Sequence, residues 1–157
     1  MSADFLHPLH AFEMTSRNGV AAAIEAEREM LRRPLPHASR PVKAPAGKGA
    51  TELEFSFWSA MPTARHDKTI WNKRFPTGFP GVPATGPGGI PRRQGLHEEV
   101  EAVHEFRGCV AHHEPVFMRD LRAEYACILR VVCWHDRKTA AWLHGAQSVV
   151  DLLAQKP

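Results

Sequence analysis

The sequence predicts a mainly α protein in which an N-terminal helix and a small C-terminal helical module are joined by a long extended segment. Near both ends of the chain, apolar residues recur at helical spacing. In between, from Pro34 to Pro91, lie ten of the thirteen prolines and seven of the eleven glycines, a composition that disfavours regular structure. We therefore divide the chain into residues 1–33, 34–95 and 96–157.

The first segment combines a terminal arm with one amphipathic helix. Pro8 interrupts any early helix, so we expect residues 1–15 to lie as an arm on a surface. Ser16 or Asn18 can cap a helix that runs to about Arg33. The apolar positions that recur at helical spacing along it are Val20, Ala23, Ile24, Met30 and Leu31.

The middle segment is expected to be extended or turning. Residues 52–57 alternate polar and apolar side chains, which predicts a strand added to a partner's sheet, or otherwise extended backbone. Residues 75–83 repeat aromatic, proline and glycine, a pattern typical of a polyproline-type or turn-rich segment. Because such a chain has little apolar surface to offset the entropy of ordering, we expect another molecule to hold it. The expected anchors in partner pockets are Phe12, Phe55, Phe57, Trp58, Trp71, Phe75 and Phe79.

The C-terminal segment is expected to form two or three antiparallel helices. The first runs from about His97 to Arg107, with acidic residues at its start and Gly108 at its close. Pro115 suits the first turn of the second helix, and Asp136 can cap a third unless the second runs on. The apolar stripes of the second and third helices are Phe117, Leu121, Tyr125, Ile128 and Val132, and Trp142, Ala146, Val149, Val150 and Leu153.

Composition narrows the class of protein. A net charge of +3, from 20 basic and 17 acidic residues, is well below that of a protein dedicated to coating nucleic acid. No stretch approaches the roughly 20 apolar residues that a membrane span requires, so we expect at most peripheral membrane association through a complex. The N-terminus shows neither a secretory pattern nor the acid-poor composition of a transit peptide, so import into an organelle would need an internal signal.

The cysteines predict thiols rather than a disulfide framework, because three leave one unpaired. On a helix, Cys127 and Cys133 would lie ~9 Å apart along the axis and ~120° apart around it, which rules out a bridge between them. A bond from Cys109 to one of them across two helices stays open. We expect free, buried thiols.

Two patterns are weighed as metal sites. Glu101 and His104 have the spacing used in di-metal carboxylate bundles, but the chain lacks the second copy that such a site needs. A zinc site would combine Cys109, His112 or His113, Cys127, and Cys133 or His135. The divergence of Cys127 and Cys133 on a helix disfavours this set, so we predict no metal and no other cofactor.

Function is expected to lie in protein–protein contacts. The sequence contains no nucleophile elbow and no phosphate-binding glycine loop, so we predict that the protein is not an enzyme. The layout is typical of a non-catalytic accessory subunit of a large assembly, and the expected setting is a mitochondrial respiratory-chain or ATP-synthase complex. Its partners would be the other protein subunits.

Two alternatives stay open. Basic and aromatic residues interleave between residues 65 and 75, which suits an RNA-associated protein of a ribosome-like particle. The residues involved would be Arg65, Lys68, Trp71, Lys73 and Arg74. The second alternative is a small metal-binding protein or metal-dependent enzyme.

Overall fold

A computed structural model describes residues 3–32, 55–83, 92–112, 114–116, 118–146 and 148–154. Over these ranges the chain is helical without strands, so the predicted mainly α class is confirmed. Helices α1 to α7 occupy Leu6–Arg32, Phe55–Ala60, Asn72–Gly78, Arg92–Ala111, Leu121–His135, Arg137–Ala146 and Val149–Ala154. Single turns of 3₁₀ helix at Ala3–Phe5 and Ala64–His66 and a π-helical turn at Asp67–Trp71 complete the described elements.

Helix α1 begins well before the cap predicted from the sequence. Pro8 lies in its first turn, where the missing N–H has no intrahelical acceptor to lose. The hydroxyls of Thr15 and Ser16 donate to the carbonyls four residues earlier, Ala11 O and Phe12 O, at 2.6 Å each. Ser16 is therefore an interior residue rather than a cap, and the predicted arm is helical from Leu6 onward.

Residues 55–83 form short helices, where an extended segment was expected. The predicted strand is wrong for residues 55–57, which begin α2, while residues 52–54 lie outside the described part of the chain. The predicted polyproline-type stretch is wrong for residues 75–78, which end α3. The physical reason is that Trp71, Phe75 and Phe79 recur every four residues and are all buried, and such burial outweighs weak local propensity.

A single cluster of buried side chains joins all three sequence segments. Rings from the two ends of the chain meet inside it, with Phe5 edge-on to Phe106 at 4.9 Å between centroids. The middle segment contributes Trp58, Trp71, Phe75 and Phe79, and α5 contributes Tyr125, Ile128 and Val132. The described part of the middle segment therefore packs against the chain's own ends, where the sequence led us to expect a partner.

Helices α1 and α3 cross at two glycines. A Cβ added to Gly19 would lie 2.6 Å from Cζ of Phe79, and one added to Gly78 would overlap the carbonyl oxygen of Gly19. Two further bonds connect this region to α5. The His135 Nδ1–H donates to Gly78 O at 2.6 Å, and the Gly81 N–H donates to Trp134 O at 2.8 Å.

The first two helices of the C-terminal module differ from the prediction mainly at their ends. Helix α4 passes through Gly108 and stops at Ala111. Pro115 lies in the following loop, and α5 starts at Leu121, where Asp120 accepts from the backbone N–H groups of Arg122 and Ala123 at 3.1 Å. The predicted stripe is confirmed at Leu121, Tyr125, Ile128 and Val132, while Phe117 lies outside the described residues.

The third predicted helix is divided in two. Helix α6 ends at Ala146 and α7 begins at Val149, so the residues that face the core do not follow one continuous register. Ala140, Leu143, Val149 and Leu153 are buried, whereas Trp142 is 57% exposed. The prediction that Trp142 shares a buried face with Val149 and Leu153 is therefore wrong. The cap at Asp136 is confirmed, since its carboxylate accepts from Lys138 N at 2.9 Å and Thr139 Oγ1 at 2.6 Å.

Replacing Asp136 with alanine is expected to lower the Tm by about 2–6 °C at pH 7, because α6 loses its N-terminal cap. Hydrogen bonds from Thr139 and from the Lys138 backbone hold the pKa of Asp136 below its ordinary value. A carboxylate with a lowered folded-state pKa stabilises the fold above its unfolded pKa, and this contribution disappears as the pH falls through the folded pKa. Thermal unfolding followed by circular dichroism should show the Tm gap closing below about pH 4.

The control is Glu29→Ala, which removes an exposed carboxylate from the interior of α1. We expect it to change the Tm by less than the Asp136 variant does at pH 7. A Tm gap for Asp136→Ala that stayed constant into acid would contradict the capping role.

Candidate protein-binding groove

The aromatic residues predicted as partner anchors are placed in the core of this chain. Phe12, Trp58, Trp71, Phe75 and Phe79 are all buried against other residues of the same molecule. The side chains of Phe55 and Phe57 lie outside those that the structure describes. In this conformation the five buried rings cannot enter pockets of a partner, which corrects their assignment as an interface. The reason is that the long helix α1 supplies the apolar surface that the middle segment was expected to find elsewhere.

In the stretch that suggested RNA binding, the fold separates the aromatic side chains from the basic ones. The Trp71 indole points inward and donates from Nε1 to Met61 O at 2.8 Å. Glu27 pairs with two of the cations, at 2.9 Å from Arg74 Nε and 3.6 Å from Lys73 Nζ. The Arg74 hydrogen bond is the main cause of a lowered pKa at Glu27. With Trp71 and Phe75 buried, neither ring can stack on a base, which is the contact that single-strand binding needs.

The cysteines form no disulfide, as predicted, although only Cys127 is buried. Its thiol donates to Glu99 Oε2 at 2.6 Å, and Glu99 also accepts from Arg130 Nε at 2.9 Å. Burial, followed by the neighbouring Glu99 carboxylate, raises the pKa of Cys127 to about 12. A thiol that stays protonated is a poor nucleophile and a poor metal ligand, so Cys127 acts as a structural residue. Across the ranges described, no three His, Cys, Asp or Glu side chains are grouped to hold a metal ion.

An open groove of about 370 Å³ separates the N-terminal half of α1 from the junction of α5 and α6. We call it the α1–α6 groove. Its α1 wall runs from His7 to Asn18 and includes His10 and Met14. The opposite wall is formed by His135, Asp136, Thr139 and Trp142.

Exposed apolar side chains surround this groove. Trp142 is 57% exposed on a regular helix, and the His7 ring meets its indole edge-on at 5.4 Å. Met14 is 36% exposed on the facing wall. Large aromatic side chains are usually well covered in monomers, and an exposed Trp beside a groove is a feature of binding surfaces.

A second groove, of about 210 Å³, lies on the other side of α1 against the end of α4. Leu6 and Val110 line it, and it contains the ion pair between Glu13 and Arg107 at 3.4 Å. His10 borders both grooves. The exposed face of α1 formed by Leu6, His10 and Met14 is therefore a ridge between two depressions, which we call the α1 ridge.

The polar groups of the α1–α6 groove are three imidazoles, two hydroxyls, one amide and one carboxylate. Asp136 is engaged by the N-terminus of α6, and the Thr139 hydroxyl donates to it at 2.6 Å. The Thr15 hydroxyl donates to Ala11 O at 2.6 Å. His7, His10, Asn18 and His135 complete the polar lining.

Together these features define a small helical protein whose accessible groove is apolar and rich in imidazole. In the part of the chain that the structure covers, no helix combines the length and apolarity needed to cross a membrane. No protein-family model, curated protein or solved structure matches the chain.

Proposed function

We propose that this protein is a non-catalytic subunit that joins a multiprotein assembly through the α1–α6 groove and the α1 ridge. The observation that carries the proposal is Trp142, which is more than half exposed on an ordered helix and faces Met14 across the groove. Burying an exposed indole contributes more to binding than burying almost any other side chain. The surface differs from the one the sequence suggested, while the class of function is the same.

The hydroxyl groups of the groove favour binding over catalysis. A nucleophilic hydroxyl needs a neighbouring base that takes its proton. Thr15 donates to a backbone carbonyl, and Thr139 donates to a carboxylate whose other bonds cap α6. Both hydroxyls therefore serve the stability of their own helices. The mitochondrial setting expected from the sequence stays a prediction.

Replacing Met14 and Trp142 together with alanine is expected to release the protein from its assembly. Loss of two central apolar contacts should weaken binding by about 30-fold or more. The measurement is density-gradient sedimentation of the tagged full-length chain in gentle lysates of its own cells. The wild type should sediment far ahead of a free 17.5 kDa chain, and the double variant should move to the light fractions.

Met30→Ala is the matched control. Met30 is also an exposed methionine on α1, and it lies sixteen residues beyond Met14, about 24 Å along the helix. We expect this variant to stay in the heavy fractions, with helicity equal to that of the wild type. Sedimentation of the wild type as a free chain, or of the double variant with the assembly, would exclude the proposed surface.

A further inference from the structure

We propose that His7 and His10 form a chelating pair for a divalent transition-metal cation, with Cu²⁺ bound most tightly. The site lies on the α1 wall of the α1–α6 groove and goes beyond the proposed function, which does not depend on it. Three observations carry it: the helical spacing of the two imidazoles, their exposure, and the open groove that both of them line.

The two imidazoles are neighbours on one face of α1. Residues three apart on an α-helix have Cβ atoms about 5–6 Å apart. A transition-metal cation binds imidazole nitrogen at about 2.0–2.1 Å, and the ring torsion of histidine is soft, so one nitrogen from each ring can reach a common ion. Metal-binding side chains at the same spacing on one helix occur in di-metal carboxylate bundles. The geometry of α1 therefore suits a two-imidazole chelate.

This pairing exists only because the start of the chain is helical. The sequence led us to expect an arm interrupted at Pro8, and in an extended arm His7 and His10 would lie about 10 Å apart on opposite faces. In the structure Pro8 lies in the first turn of α1, where proline is well tolerated, so the helix includes both histidines. The prediction of no metal was made without this pair.

Both rings are accessible to a hydrated cation. His7 and His10 are exposed, and within the described part of the chain neither ring makes a hydrogen bond. A neutral imidazole has one nitrogen with a free lone pair, and that atom is the metal ligand. The edge-on contact of His7 with the Trp142 indole, at 5.4 Å between ring centroids, holds the first ring beside the groove. The groove volume of about 370 Å³ leaves room for the ion and its waters.

The ligands determine the class of cation. Imidazole suits Zn²⁺, Cu²⁺ and Ni²⁺, whereas Ca²⁺ and Mg²⁺ prefer oxygen ligands. Because no three His, Cys, Asp or Glu side chains are grouped around an ion in the described ranges, the protein supplies two ligands and water fills the other positions. Protein zinc sites usually have three or four protein ligands. A tetragonal arrangement of imidazole and water suits Cu²⁺, which also has the highest affinity in the divalent series.

The test is titration of the metal-free full-length chain with Cu²⁺ alone. We expect one tight equivalent, with an electron paramagnetic resonance spectrum that shows two nitrogen ligands. Tryptophan fluorescence should fall over the same titration, because a bound paramagnetic ion quenches a nearby indole and Trp142 contacts His7. Mg²⁺ at the same concentrations should not compete, since it prefers oxygen ligands.

His7→Ala and His10→Ala should each weaken the binding of Cu²⁺ by at least about 10-fold, because loss of a ligand costs no less than loss of an outer-shell partner. The matched control is His112→Ala, which removes an exposed imidazole beyond the end of α4 and should leave the affinity unchanged. The double variant His7→Ala, Met14→His restores a pair at i, i+4, the spacing of two zinc-binding histidines on a helix. It should recover most of the affinity, which a mere packing role of His7 would not allow.

Three outcomes would overturn the proposal. The first is tight Cu²⁺ binding that neither alanine variant weakens. The second is a spectrum with one nitrogen ligand in the wild type. The third is a double variant that binds no better than His7→Ala, because spacing on the helix is then not the cause. The sedimentation experiment decides the proposed function separately, since it compares assembly without added metal.

Discussion

Replacing Trp71 with alanine is expected to lower the free energy of unfolding by about 3–5 kcal/mol. Trp71 is 2% exposed, and its ring lies edge-on to Phe75 at 5.8 Å. Truncation leaves a cavity in the core and removes the indole N–H that donates from Nε1 to Met61 O at 2.8 Å. Urea unfolding followed by far-ultraviolet circular dichroism measures the change without relying on tryptophan fluorescence.

Trp142→Ala is the matched control for this variant. Its indole is mostly in water, so we expect the free energy of unfolding to change by less than about 0.5 kcal/mol. Should Trp71→Ala fail to fold, Trp71→Phe keeps much of the apolar volume and loses the hydrogen bond, at an expected loss of about 1–2 kcal/mol. Equal stability of the wild type and both Trp71 variants would mean that residues 55–83 do not belong to the core.

The ends of this fold were predictable because their signals are local. The stripe of α5 and the cap of α6 involve residues within a few turns of each other, as Asp136 and Thr139 illustrate. The helical spacing of Trp71, Phe75 and Phe79 was also present in the sequence. We gave the density of proline and glycine more weight than this spacing. The surface that buries the three rings is α1, some fifty residues away in the chain, so no local pattern reveals it.

The groove was not predictable from local pattern. Trp142 fits an apolar stripe only if the helix continues past Ala146, and the break before Val149 shifts the register so that Ala140 and Leu143 face inward instead. The exposure of Met14 likewise depends on which side of α1 the helices α3 and α5 cover. That choice is set by tertiary contacts such as the approach of Gly19 to Gly78.

Substituting Gly78 with alanine is expected to lower the free energy of unfolding by about 3 kcal/mol, as overpacking against a backbone atom does when no rotamer can relieve it. The added methyl would overlap the carbonyl oxygen of Gly19, so α1 and α3 would have to separate. Separation would also disturb the bond from His135 Nδ1 to Gly78 O, which connects the crossing to α5. Equilibrium urea unfolding of the purified variant provides the measurement.

Gly108→Ala, in α4, separates this steric effect from the general effect of removing a glycine. A Cβ at Gly108 meets nothing within 4 Å, so alanine there should raise the free energy of unfolding by up to about 1 kcal/mol through helix propensity alone. Opposite signs for the two glycine variants are the expected result. If Gly78→Ala stabilised the protein as Gly108→Ala does, the two helices could not cross at glycine contact distance. The middle segment would then lack the close approach to α1 that lets Phe79 and Trp71 enter the core.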